Sequence, residues 1–369
     1  MKKLFILIIF IKTFIFCQVE LIISYNISLP ANTFTTPQIS PDNQYVFVSG
    51  STETEKYLVI CNLNTGKYSR LFDQKSAHQK RKVRGERIRR PNREEKIVGW
   101  IMDGGTPYLY TAIDEIKSRT ETNSVFYEHD KEPKEYNRYF DSTYPNKPNV
   151  TYINSKYNFV WISFINGPYG LYKISLNKRS LSLSKSPIIK TMRMVQGLSS
   201  WGNKELLLAG QENIYNFYLI VKNEAKLLNI DILDYTIIRD PICHPSQNGV
   251  FAFIGSNVNY QDDKKRGDLC IYDINNQKYI EKINIYFDKD SYGGNRFSQW
   301  APTKNKLYFL KKERDEIRLY YYNYLNKKTQ YSGIDENKIK SFVISNDGQY
   351  CVILRDTDTD QITVYKLDE

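Results

Sequence analysis

The residues of this chain that could do chemistry are few and scattered. There are three histidines, His78, His129 and His244, and no two have the spacing of a metal-ligand pair. No Gly-x-Ser-x-Gly nucleophile elbow occurs. Asp356-Thr357-Asp358-Thr359-Asp360 opens like a calcium loop, but the glycine such a loop needs is missing and Leu367 stands where the closing glutamate should be. A polar hairpin accounts for that run as well, so no cofactor is expected, with calcium the one alternative. Arg266-Gly267-Asp268 is an adhesion tripeptide on paper. Here it stands where a turn is expected before Leu269. Of the five cysteines, Cys17 closes the N-terminal segment, where cleavage after it or lipid modification of it are the alternatives, and Cys61, Cys243, Cys270 and Cys351 read as small buried hydrophobes. Cys243 and Cys270 fall on strands two spacings apart, about 9.6 Å, too far for a disulfide.

Charge is concentrated in one place. The formal net charge is +11, and residues 77–96 hold nine lysines and arginines against three glutamates. Lys80, Arg81, Lys82, Arg84, Arg87, Arg89 and Arg90 form its centre, with Gly85 and Pro91 breaking any helix. We read a long loop between repeat units, suited to an anionic surface such as phospholipid. It lacks the interleaved aromatics of a groove for single-stranded nucleic acid, so nucleic acid is not expected. Three tryptophans, Trp100, Trp201 and Trp300, recur at equivalent places near the ends of inner strands. They read as core or channel-rim aromatics, which could form a platform for a sugar or peptide if several line one mouth. His244 occupies a matching position, near the end of an inner strand and the central channel.

The elements that must position these groups come from a repeated phrase. Ile39-Ser40-Pro41-Asp42-Asn43-Gln44-Tyr45 returns without a gap as Ile344-Ser345-Asn346-Asp347-Gly348-Gln349-Tyr350. Each copy is a polar turn, an aromatic and β-branched strand, a hairpin, and a second apolar strand. That strand ends in a phrase such as Leu63-Asn64-Thr65-Gly66, a hairpin signal leading to a last strand. Seven units open at 39, 100, 153, 201, 243, 300 and 344. Their mean spacing of about 51 residues is somewhat above that of four-stranded propeller blades.

The wording resembles the TolB-type and WD-repeat-like β-propellers, whose blades commonly read S-P-D-G, a strand, then a strand and D-L-x-T-G. The match covers about residues 35–369, closest in the first and last units. The resemblance implies an all-β chain forming a single β-propeller of seven blades, with six to eight the range. The last unit stops after its third strand, and Glu20–Leu29 is an orphan strand, so an N-terminal strand is expected to close the ring.

Met1-Lys2-Lys3 before a short apolar core reads as a signal peptide over residues 1–17, too interrupted for a transmembrane helix. Residues 18–369 are then the propeller domain, exported to the periplasm, cell surface or medium. The expected function is a non-catalytic binding or scaffolding module of the cell envelope, monomeric, with another protein or envelope component as partner. The alternative is a propeller enzyme (lyase, lactonase or glycosidase) with its site at the central channel.

Overall fold

The computed structural model describes residues 20–26, 33–34, 37–51, 56–73, 93–103, 106–115, 122–127, 134–136, 148–154, 159–164, 170–175, 189–190, 195–211, 214–232, 235–257, 266–286, 298–301, 305–313, 316–334, 336, 339–355 and 361–367. They form strands and turns, with no helix among them.

The strands fall into seven antiparallel sheets among the described residues, called blades 1 to 7. An N-terminal strand, β1 (Glu20–Asn26), comes before blade 1. Blade 1 is β2 (Thr33–Phe34), β3 (Gln38–Ile39), β4 (Tyr45–Ser51), β5 (Lys56–Asn62) and β6 (Tyr68–Asp73), with β2 and β3 both paired to β4. Blade 2 is β7 (Arg93–Asp103), β8 (Thr106–Glu115), β9 (Thr122–Tyr127) and β10 (Lys134–Tyr136). Blade 3 is β11 (Pro148–Asn154), β12 (Phe159–Phe164), β13 (Gly170–Ser175) and β14 (Ile189–Lys190). Blade 4 is β15 (Val195–Trp201), β16 (Lys204–Gln211), β17 (Ile214–Val221) and β18 (Glu224–Leu228). Blade 5 is β19 (Ile237–Cys243), β20 (Val250–Ser256), β21 (Arg266–Asp273) and β22 (Lys278–Tyr286). Blade 6 is β23 (Ser298–Trp300), β24 (Lys306–Glu313), β25 (Glu316–Asn323) and β26 (Lys328–Tyr331). Blade 7 is β27 (Ile339–Ile344), β28 (Tyr350–Arg355) and β29 (Gln361–Lys366), and its fourth strand is β1, which runs antiparallel to β29 from Glu20↔Lys366 to Asn26↔Gln361. The inner strands touch in sequence: β3 meets β7, β7 meets β11, and so on to β27, which meets β3 again. The molecule is a β-propeller.

Turn chemistry explains why the repeated phrase folds as it does. Ser40 Oγ donates to Asp42 and accepts from the Tyr45 N–H at 2.9 Å. Ser345 repeats this with Asp347 and the Tyr350 N–H at 2.8 Å. Asn43 and Gly348 hold the one left-handed position of each turn, at φ 59° and 72°, which Asn and Gly tolerate. The second phrase works through an Asx turn. Asn62, Asp273 and Asn323 each accept two following backbone N–H groups.

The core lies between blades. Second strands are pressed on both faces, so β20 (Val-Phe-Ala-Phe-Ile-Gly-Ser) is buried at every position and reads as a continuous apolar run. Outer strands are wet: all four residues of β26 are exposed. Inner strands carry a register shift at one level of the ring, at Ile97/Gly99, Val150/Tyr152, Val195/Gly197, Arg239/Ile242 and Ile339/Ser341. Such bulges bend a strand and increase its twist.

Three expectations need correction or limits. Arg266-Gly267-Asp268 is the start of β21, all three paired to β22 and Asp268 also to β20, because the ladder runs further back than the turn grammar suggested. The basic loop of 77–96 ends early: Arg93, Glu94, Glu95 and Lys96 are ladder residues of β7. Its centre, Lys80 to Arg90, lies outside the described residues, as do residues 1–17, His78, His129 and Asp356–Asp360.

Candidate functional site

Of the predicted rim residues, His244 is the best defined. It follows β19 and takes the place that Ser40 and Ser345 hold in their blades: its N–H donates to the Val250 carbonyl as theirs do to Tyr45 and Tyr350. The imidazole replaces the serine hydroxyl. Nδ1 accepts the backbone N–H groups of Ser246 at 3.2 Å and Gln247 at 3.0 Å. We therefore assign the neutral ring's proton to Nε2, which has no hydrogen-bond partner among the described residues. The ring is fully buried, 4.3 Å from the Trp300 ring and 4.9 Å from Tyr324. Burial holds it well below the usual histidine range, at about 4. It sits between blades 5 and 6, away from solvent, and so does not line an open channel.

Trp300 ends β23 and is 3% exposed, so it too is a core residue between those blades. Trp201 ends β15; its indole N–H donates to the Val250 carbonyl of blade 5 at 2.9 Å, and its ring meets Phe251 edge-on. Trp100 lies inside β7, paired with Leu109, three residues before the strand ends. The structure brings His244 and Trp300 together. Trp201 and Trp300 are both buried and form no exposed platform.

One crevice opens beside Trp201. It holds about 210 Å³ and is lined by the β15–β16 turn (Trp201, Asn203, Lys204) and the turn after β19 (Pro245, Ser246, Asn248). Its lining mixes amide, hydroxyl, indole and ammonium groups, and the Ser246 hydroxyl lies 3.5 Å from His244 Nδ1. Among the described residues no group of three or more His, Cys, Asp or Glu could hold a metal. Cys61, Cys243, Cys270 and Cys351 are free and buried. Burial pushes the Cys61 thiol up to about 12 and Cys270 to about 11, so neither is a ready nucleophile. Asp268 of the adhesion tripeptide accepts the Tyr235 hydroxyl at 2.8 Å, inside the blade.

Sequence reasoning missed the side chains that stitch blades together. Gln299 clasps blade 7 with both amide ends, donating to the Ile344 carbonyl at 3.0 Å and accepting its N–H at 2.9 Å. Ser199 Oγ accepts the Cys243 N–H at 2.9 Å. The Asn346 N–H reaches Asn43 Oδ1 of blade 1 at 2.9 Å. Sequence reasoning also missed the cation–tyrosine pairs of blade 6, for which Tyr320-Tyr321-Tyr322 was the available signal. There Lys306 lies 4.8 Å from the Tyr321 ring centre, Lys311 4.9 Å from Tyr320, and Arg318 5.7 Å from Tyr331.

No family model matches the chain, and no curated protein matches it. Solved structures do. The Dos1 propeller is 10% identical, with 95% of each chain covered and a TM-score of 0.56. A chain of the Mitotic Checkpoint Complex is 11% identical, covering 96% of this chain and 97% of that one, with a TM-score of 0.53. Such identities show the shared fold alone, and with 604 matching chains that fold is too widely used to point to one activity.

Proposed function

We propose that this chain is a binding scaffold, an exported propeller that holds another protein or envelope component on its rim. The observation that carries the reading is the division of the blade. Inner and second strands are spent on packing and on stitches between blades, while the outer strands β18 and β26 face solvent. Rigid rings of this kind present loops and edges without deforming. Export rests on the Lys-Lys start and the short apolar core of residues 1–17.

Lysine cross-linking of the protein in its own cells, read by mass spectrometry, tests the scaffold. We expect one stoichiometric partner joined through outer-strand lysines such as Lys226 and Lys328. A monomer with no intermolecular cross-links removes the reading. The same spectra test export, since the mature chain should begin near Gln18 and an intact Met1 would end that part.

A further inference from the structure

Resting on the scaffold reading, we infer that blade 6 offers its outer strand β26 as a docking edge for an extended, acidic segment of a partner protein, which adds to the sheet as a fifth strand. The first observation is the edge. Strand β26 ends its sheet among the described residues, and all of it is exposed. The Ser332 N–H donates to the Leu319 carbonyl at 3.1 Å. The pairing runs in unbroken register from Tyr320↔Tyr331 to Asn323↔Lys328. Hydrogen-bonded and non-hydrogen-bonded pairs alternate in an antiparallel ladder. The main-chain groups of Gln330 therefore face β25, and those of Thr329 face outward. An outward N–H and C=O on an exposed strand is the template for strand addition.

The second observation is charge. The described residues of β24 to β26 carry Lys306, Lys311, Lys312, Arg318, Lys327 and Lys328 against Glu313 and Glu316, a net charge of four positive. Counted in the same way, blade 4 is one positive and blade 5 is neutral. Blade 6 is thus more positive than the two blades before it. It selects against a second copy of this chain, whose same strand would meet it with like charge. It selects for carboxylates, with the exposed Leu325 at one end of the strand and the partly exposed Tyr331 at the other as apolar contacts.

The test is fluorescence anisotropy with a labelled peptide of alternating glutamate and valine, beside its lysine–valine counterpart and a single-stranded DNA oligonucleotide. We expect the acidic peptide to bind and to slow hydrogen exchange at the Thr329 amide. Lys327→Glu with Lys328→Glu should weaken it about tenfold. Thr329→Pro, which removes the outward N–H and no ladder bond, should abolish it with the melting temperature unchanged. If that variant does not fold, the exchange protection and the double charge reversal decide alone. Equal binding of the lysine–valine peptide, binding of the DNA without the peptide, or an unprotected Thr329 overturns the inference. Cross-links to a partner elsewhere on the ring would then leave the scaffold standing without this edge.

Discussion

At the scale of single residues, His244 is a turn residue whose ring serves as a spacer between blades. Its Nδ1 accepts two backbone N–H groups, so a second proton there would break both. The folded state prefers the neutral ring, with its value held near 4 against an ordinary 6.5. Stability from this group is complete above 6.5, falls as the pH drops toward about 4, and levels off below. The full span is on the order of 3 kcal/mol. His244→Ser should cost about 2 kcal/mol at neutral pH, because it empties the space beside Trp300 and Tyr324. Its melting temperature should then fall less than the wild type's between pH 7 and pH 4. Parallel curves for the two proteins would show that His244 does not set the acid sensitivity.

At the scale of elements, the inner-strand bulges decide how closely blades approach. Gly197 stands at the bulge of β15, and a Cβ added there would lie 2.6 Å from Cδ of Pro241 on β19, a rigid ring that cannot move aside. Gly197→Ala should therefore destabilise the protein by about 1–3 kcal/mol through overpacking between blades 4 and 5. Denaturant unfolding checks this, and an unchanged midpoint would mean the inner strands slide freely. Turns and strands were legible in the sequence because their causes are local. Ser40 with Asp42, and Asn62 with the N–H groups after it, satisfy one another within a few residues. The stitches were not legible, since Gln299 and Ile344 lie on different blades and no local rule pairs them. The adhesion tripeptide was misread for a related reason: its Asp268 is fixed by Tyr235, which is remote in sequence. The tryptophan and histidine positions could be aligned along the chain, but whether an aligned ring faces a channel or a neighbouring blade depends on packing.

At the scale of the whole molecule, the two ends of the described chain share a sheet. Deleting residues 20–29 strips blade 7 of β1 and leaves β29 an open edge, which should cost several kcal/mol or prevent folding. An unchanged melting temperature would show that β1 adds nothing. The basic segment should behave oppositely. Replacing Lys80, Arg81, Lys82, Arg84, Arg87, Arg89 and Arg90 with serine should leave the melting temperature within about two degrees, since a composition so rich in charge, with Gly85 and Pro91, offers little apolar surface to a core. The same change should abolish salt-sensitive binding to anionic vesicles, and a wild type that binds none would remove the anionic-surface role. The pairing of β1 with β29 also imposes an order in time. A ribosome adds about 5–20 residues each second, so β1 waits for its partner for tens of seconds after it is made. Throughout that wait it is an unpaired strand rich in isoleucine and leucine, open to any other nascent chain. Strand β29, the last one described, completes the sheet that β1 needs, so a product truncated before it cannot complete that sheet and would remain marked for degradation by its own exposed beginning.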